Sequence, residues 1–203
     1  MLCIEAKSLS KSYGDYRAVD SIDLSVESGK IFGFLGPNGA GKTTTIKLLT
    51  TLVPQTSGTI NILGIDASRD PLGVRKRIGV VLQQPSYEPT LTVEKSLEKY
   101  GMMWNVDPKT RKERTEELLT AFDLQDIRKK KNDDISIGQR RRVQVAREFM
   151  HEMNLLFLDE PTVGLDPSAR RALLDYIKRK VKDGLAIFFT THILEEAEYL
   201  CDE

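Results

Sequence analysis

The sequence predicts an α/β fold: a parallel sheet with an N-terminal antiparallel β subdomain and an inserted helical subdomain. Three observations predict it. Short, almost fully apolar segments are each followed by a helical stretch: 31–35 then 43–52, 155–158 then 167–181, and 185–189 then 193–200. Strands apolar on both faces that alternate with helices belong to a parallel sheet covered on both sides. Ahead of them, 2–9 and 20–26 alternate apolar with polar, and Gly14 and the Glu27-Ser28-Gly29 cluster supply turns, which reads as half-buried antiparallel strands. Between Pro89 and His151 no comparable strand occurs. Instead 92–104, 108–122 and 136–150 read as helices, the second amphipathic through Leu118, Leu119 and Phe122 beside a charged face at 109–117. The expected division is therefore a core of residues 1–88 and 152–203, with the β subdomain at its start, and a helical subdomain of 89–151, together one domain of 1–203.

Composition narrows the function. A chain of 203 residues is one ordinary domain and buries roughly 70% of its unfolded surface. Apolar residues make up 40% and charged residues 30%, with 30 basic against 30 acidic side chains, so disorder and a strongly basic nucleic-acid binder are both disfavoured. Arg140-Arg141-Arg142 with Arg147 spread over more than one side of a helix and make no single basic face, and Lys129-Lys130-Lys131 is followed by Asp133-Asp134, as in a solvated loop. Cys3 and Cys201 make neither a disulfide framework nor a metal spacing, which fits a reducing compartment. No apolar run approaches the roughly 20 residues that cross a bilayer.

The strongest chemical signal is Gly36-Pro37-Asn38-Gly39-Ala40-Gly41-Lys42-Thr43, which satisfies G-x-x-x-x-G-K-[ST] between an expected strand and an expected helix. Glycines let successive backbone N–H groups converge on phosphate oxygens, and the helix N-terminus adds about half a positive charge. Lys42 then reaches the β- and γ-phosphates and Thr43 ligates Mg²⁺, which makes the core that of a P-loop NTPase. Downstream, an apolar strand ends in Asp159-Glu160. At the carboxyl end of a parallel strand, where open α/β sheets place their ligands, Asp159 is suited to hold Mg²⁺ through water and Glu160 to polarise an attacking water.

Those two motifs suit any P-loop NTPase. Further elements resemble the ATP-binding cassette family along essentially the whole chain. Ile135-Ser136-Ile137-Gly138-Gln139 stands where that family carries Leu-Ser-Gly-Gly-Gln; Gly164-Leu165-Asp166 is similar to its D-loop, Thr191-His192 to its switch histidine, Gln83 to the glutamine after a core strand, and Tyr13 to its N-terminal aromatic. The loop from Gly36 to Thr43, with Gln83-Gln84-Pro85, looks most like the single-domain exporter ATPases. The resemblance implies ATP and Mg²⁺ as cofactors. ATP would be held by Tyr13, Gly36, Pro37, Asn38, Gly39, Ala40, Gly41, Lys42, Thr43 and Thr44, and the metal approached by Thr43, Gln83 and Asp159. It also implies Glu160 as general base with His192 and Gln83 completing the catalytic set. Each lesser element also has a plainer reading: Tyr13 as packing, Gln83 as loop, His192 as a capping side chain, and Asp166 before Pro167 as a helix N-cap that coexists with a dimer-interface role.

The resemblance further implies that one chain is half an enzyme. Ser136, Ile137, Gly138 and Gln139 open a helix, another anion-binding end, and in the family this end closes over the nucleotide of a second subunit in a head-to-tail homodimer or heterodimer. It implies a separate transmembrane subunit as partner, a place on the cytoplasmic face of the membrane, and no nucleic acid. Two departures stand out. Ile137 replaces the first glycine of the family's signature; a helical backbone tolerates it, but a misaligned donor there costs on the order of 3 kcal/mol of transition-state stabilisation. The family continues with further strands where this chain stops at Glu203, so a truncated domain with an exposed sheet edge is expected. Two other readings stay open: a soluble cassette ATPase acting on ribosomes or DNA, and a nucleotide-binding regulatory module without turnover.

Overall fold

In the computed structural model, residues 1–201 are described. The order of elements is β1 (Leu2–Tyr13), β2 (Tyr16–Glu27), β3 (Ile31–Leu35), α1 (Lys42–Leu49), β4 (Ser57–Ile62), β5 (Ile65–Asp66), α2 (Pro71–Arg75), β6 (Ile78–Val81), α3 (Val93–Met103), α4 (Pro108–Ala121), α5 (Ile137–Glu148), β7 (Leu155–Asp159), α6 (Pro167–Lys182), β8 (Ala186–Thr191) and α7 (Leu194–Leu200). They form two sheets: an antiparallel one in the order β2-β1-β4-β5 and a parallel one in the order β3-β8-β7-β6. The chain divides into two compact units. The first is Met1–Leu82, Met153–Glu160 and Lys180–Glu203; the second is Gln83–Glu152 and Pro161–Arg179.

In the first unit both sheets feed one core. Ile4, Leu9, Ile60 and Ile62 of the antiparallel sheet, Ile46 and Leu49 of α1, and Leu155, Phe157 and Phe188 of the parallel sheet are all buried in it. Alternation along β1 puts Ile4 and Ala6 inward while Glu5 and Lys7 remain outside, the period-two rule of a sheet with one wet face. β7 and β8 are buried at every position, as strands covered on both faces must be, and burying each large apolar side chain contributes about 1.5–3 kcal/mol.

The second unit carries three helices whose N-termini are capped by side chains. Thr92 accepts from the Lys95 N–H, Asp107 from those of Lys109 and Thr110, and Ser136 from that of Gln139. Phe122, Phe149 and Tyr176 pack ring on ring, with centroids 4.8 to 6.2 Å apart. Those ring contacts explain why residues 161–179, which carry the first part of α6, group with the helices, and why this unit is wider than the 89–151 expected from periodicity.

Several boundaries differ from the expected ones. The hairpin strands run to Tyr13 and from Tyr16, because pairing continues through Lys11, Ser12 and Arg17 up to a tight turn at Gly14, regardless of their polarity. The first helix stops at Leu49 instead of 52, since Thr51 adopts φ +59°. The 136–150 helix ends at Glu148, and the last strand shifts to 186–191, taking in Thr190 and Thr191. The strands and short helix between 57 and 75 have no counterpart in the periodicity reading. The expectation about how the domain ends bears on Asp202 and Glu203 and lies outside the described residues. Among the described residues no helix is long and apolar enough to cross a membrane.

Candidate functional site

The site in the first unit is built from the loop between β3 and α1. Gly39 and Gly41 take φ of +85° and +87°, and a Cβ at Gly41 would sit 2.5 Å from the Ala18 carbonyl oxygen. Only glycine satisfies both the left-handed turn and the close approach at that position. Gly41 is the N-cap of α1 and brings no side chain to cap it, so the first N–H groups of the helix face the loop. Lys42 is buried, and its ammonium donates to the carbonyls of Gly36 at 2.6 Å and Pro37 at 3.1 Å. Its third neighbour is the Glu160 carboxylate, 3.3 Å away.

The two acids stand at the carboxyl end of β7. Asp159, 1% exposed, accepts from the Thr43 hydroxyl on one oxygen and from the Thr190 hydroxyl on the other, both at 2.6 Å. Glu160, 5% exposed, has φ +47°, a left-handed backbone that costs a non-glycine residue on the order of 1–3 kcal/mol and accumulates at functional sites. The neighbouring strand holds it there: the Glu160 N–H donates to the Thr190 carbonyl at 3.1 Å and to its hydroxyl at 3.0 Å. The Glu160 carboxylate lies between the Lys42 ammonium and Nδ1 of His192, each 3.3 Å away. His192 follows β8, and its side chain remains 44% exposed.

A hydroxyl and a carboxylate 2.6 Å apart beside a phosphate-type loop are hard oxygen donors of the kind Mg²⁺ prefers. That cation is usually bound by one or two side chains together with water and phosphate oxygens, so Thr43 and Asp159 fit it.

Of the residues nominated by sequence, the structure gathers Lys42, Thr43, Asp159, Glu160 and His192 in this one cluster. Tyr13 ends β1 and is 49% exposed, with the Lys11 ammonium 4.9 Å from its ring centre. The loop residues 36–41 and Thr44 also stand in the first unit, whereas Gln83, Ser136, Ile137, Gly138, Gln139 and Asp166 stand in the second. Gln83 lines a cavity of about 330 Å³ with Tyr87, Ile137, Arg140 and Val163 among its walls. Ser136 and Gln139 close a reciprocal capping box: the Gln139 N–H donates to the Ser136 hydroxyl at 3.1 Å, and the Ser136 N–H to the Gln139 amide oxygen at 2.9 Å. Ile137 is the first residue of α5 and is 69% exposed. A Cβ at Gly138 would meet the Gly164 carbonyl at 2.6 Å, a close approach that sequence reasoning missed. Asp166 caps α6 by accepting from the Ala169 N–H at 2.9 Å, and that bond holds its carboxyl below the usual range.

The arginines of α5 diverge. Arg140 donates to the Tyr87 hydroxyl at 2.5 Å, Arg141 to the Pro161 carbonyl at 3.1 Å, and Arg142 to the carbonyls of Phe122 and Asp123 at 2.9 Å. Sequence reasoning also missed Thr190, whose signal was a polar residue closing an otherwise apolar strand, and Glu196, described below.

A phosphate-type loop whose threonine is hydrogen-bonded to the acid ending another parallel strand of the same sheet defines a P-loop NTPase core. The sequence matches the family described as "ABC transporter" over residues 19–163, and the chain belongs to that family. A second pattern, described as "AAA domain, putative AbiEii toxin, Type IV TA system", matches 141–198. Among curated relatives, the linearmycin resistance ATP-binding protein LnrL of Bacillus subtilis is 37% identical over 98% of this chain and 64% of its own length. The daunorubicin/doxorubicin resistance ATP-binding protein DrrA of Streptomyces peucetius is 41% identical over 98% of this chain and 60% of its own. The chain thus spans less than two thirds of these relatives. Of solved structures, an ATP-binding subunit of an ABC transporter superposes with a TM-score of 0.90 at 31% identity, covering 98% of this chain and 83% of that one. The cassette MJ0796, in a dimeric post-hydrolysis state bound to ADP and Pi, gives 0.88 at 25% identity, over 97% of this chain and 90% of that one.

Proposed function

We propose that the chain is the nucleotide-binding subunit of a membrane exporter. It would hydrolyse ATP to ADP and phosphate with Mg²⁺, as a head-to-tail dimer that drives a separate membrane-spanning partner from the cytoplasmic face. The observation that carries the reading is the Glu160 carboxylate. It lies between Lys42 and His192, one residue after an aspartate bonded to the loop threonine. Support for export comes from relatives described as resistance and Nod factor export ATP-binding proteins. Support for a dimer comes from the MJ0796 structure.

In this reading the triphosphate competes with Glu160 for the Lys42 ammonium. Once the ammonium turns from the Gly36 and Pro37 carbonyls to phosphate, the carboxylate is free to take a proton from an attacking water. His192 holds that carboxylate in line, and Tyr13 offers its exposed ring to the adenine. Thr43 and Asp159 would hold Mg²⁺, with Gln83 a further candidate ligand, and the ion would supply charge stabilisation at the phosphates when bound. From a second copy, Ser136 offers its hydroxyl proton, which its own capping bond leaves unused, and α5 offers its N-terminus. Asp166 stands at the same interface.

Phosphate release by the native chain and by Glu160→Gln tests this. Loss of turnover by about 100-fold or more, with ATP still bound and a dimer on size exclusion, is the expected result. Native-rate release by Glu160→Gln would overturn it. One observation favours a second reading, a nucleotide-binding module without turnover: the exposed branched side chain of Ile137 at the mouth of α5. Zero phosphate release by the native chain with ATP bound would select it.

A further inference from the structure

The half-exposed side chain of His192 is not locked by packing, so its aim at Glu160 depends on the backbone that carries it. That backbone is a two-residue turn between β8 and α7, and Ile193, the N-cap of α7, makes no side-chain cap. A hydroxyl from the preceding residue substitutes for the cap. Thr191 Oγ1 accepts from the Ile193 N–H at 3.0 Å, and so bridges the two residues on either side of His192. The same hydroxyl donates its proton to Glu196 Oε2 at 2.8 Å.

Glu196 is 3% exposed, and a carboxylate so buried is tolerated only where it finds donors. That bond fixes the direction of the Thr191 proton and leaves the hydroxyl lone pairs for Ile193. Because successive residues of a strand face opposite sides, the tandem divides its work. Thr190 is paired with Asp159 across the sheet and binds its carboxylate. Thr191 turns to the other side and binds α7.

We propose that Glu196 is a positioning residue: through the Thr191 hydroxyl it holds the turn that presents the His192 imidazole to the Glu160 carboxylate. This rests on the hydrolytic reading above, and the test separates the two. In phosphate-release assays, Glu196→Ala lowers kcat by about 10- to 100-fold with KM for ATP nearly unchanged, since the fault is one of alignment. Glu196→Gln, which keeps an accepting oxygen, recovers most of the loss. In a His192→Ala background the Glu196→Ala change costs less than about twofold, because residues acting through one another are not additive.

A second measurement does not depend on turnover. The chain has two histidines. The His151 ring lies flat against Trp104 with centroids 3.9 Å apart, so its ring signals are shifted away from those of His192. Replacing Glu160 by glutamine moves the His192 ring resonances in the native background and leaves them unmoved with Glu196→Ala present. If the native chain releases no phosphate, the hydrolytic reading fails and the resonance experiment alone decides on Glu196. Where Glu196→Ala does not fold, Thr191→Val against Thr191→Ser replaces it, with the valine expected to lose the coupling and the serine to keep it. The proposal is overturned by additive losses in the double variant, or by His192 resonances that respond to Glu160→Gln without Glu196.

Discussion

Thr190→Val removes one hydroxyl from the centre of the site while nearly keeping the volume of the side chain. Thr190 is fully buried; its hydroxyl donates to Asp159 at 2.6 Å and accepts from the Glu160 N–H at 3.0 Å. The Glu160 N–H keeps its bond to the Thr190 carbonyl at 3.1 Å, so it is not orphaned. The Asp159 oxygen loses a neutral donor to a charged acceptor, a bond worth about 1.5–3 kcal/mol, and gains an apolar neighbour in its place. A loss of about 2–3 kcal/mol in a chain of this size lowers the melting temperature by about 4–12 °C. Thr190→Ser separates the hydroxyl from the methyl: it keeps both bonds and gives up about 0.8 kcal/mol of burial. Melting curves of the three proteins followed by circular dichroism at neutral pH should rank native, serine, valine from high to low. A valine variant that melts with the native protein, or above the serine variant, would refute the argument that this hydroxyl supports the acids.

The two left-handed loop glycines are separable by the same logic. Gly41→Ala meets the Ala18 carbonyl at 2.5 Å as well as an unfavourable backbone, whereas Gly39→Ala meets nothing within 4 Å. Gly39→Ala should cost about 1–2 kcal/mol in stability and Gly41→Ala clearly more, with a larger loss of ATP affinity by titration calorimetry. The two thiols should also part company. Burial pushes the Cys3 thiol up to about 11, and Cys201 is partly exposed. At pH 8.5 only about one Cys3 thiol in several hundred is ionised, so a disulfide reagent should titrate a single cysteine in the folded chain and the second only after denaturant is added.

What the sequence disclosed was governed by how local each signal is. The phosphate-type loop, the acids ending β7 and the apolar strands are contiguous patterns, and the elements that carry them fall where periodicity puts them, within a few residues. Strand ends are less legible, because apolarity does not mark them. β8 continues through Thr190 and Thr191, polar residues whose hydroxyls are satisfied by partners 31 and 5 residues distant. The segment Ser57–Ile62 escaped because its alternation is short and a left-handed Leu63 cuts it off. Glu196 was hidden for another reason. Between Glu195 and Glu198 it reads as part of a solvated acidic face, and only the return of α7 onto β8 buries it. Gly138 could be read as a motif letter, but the Gly164 carbonyl that excludes a side chain there belongs to a segment 26 residues away.

On the proposed function, catalysis needs two copies, with α5 of one completing the phosphate site of the other. The most direct test is the rate of phosphate release per molecule, measured at saturating Mg²⁺ and ATP across a wide range of protein concentration. The expected result is a specific rate that climbs with concentration and then levels off as dimers fill. A specific rate that stays flat down to the most dilute samples, where light scattering shows monomers alone, would contradict it.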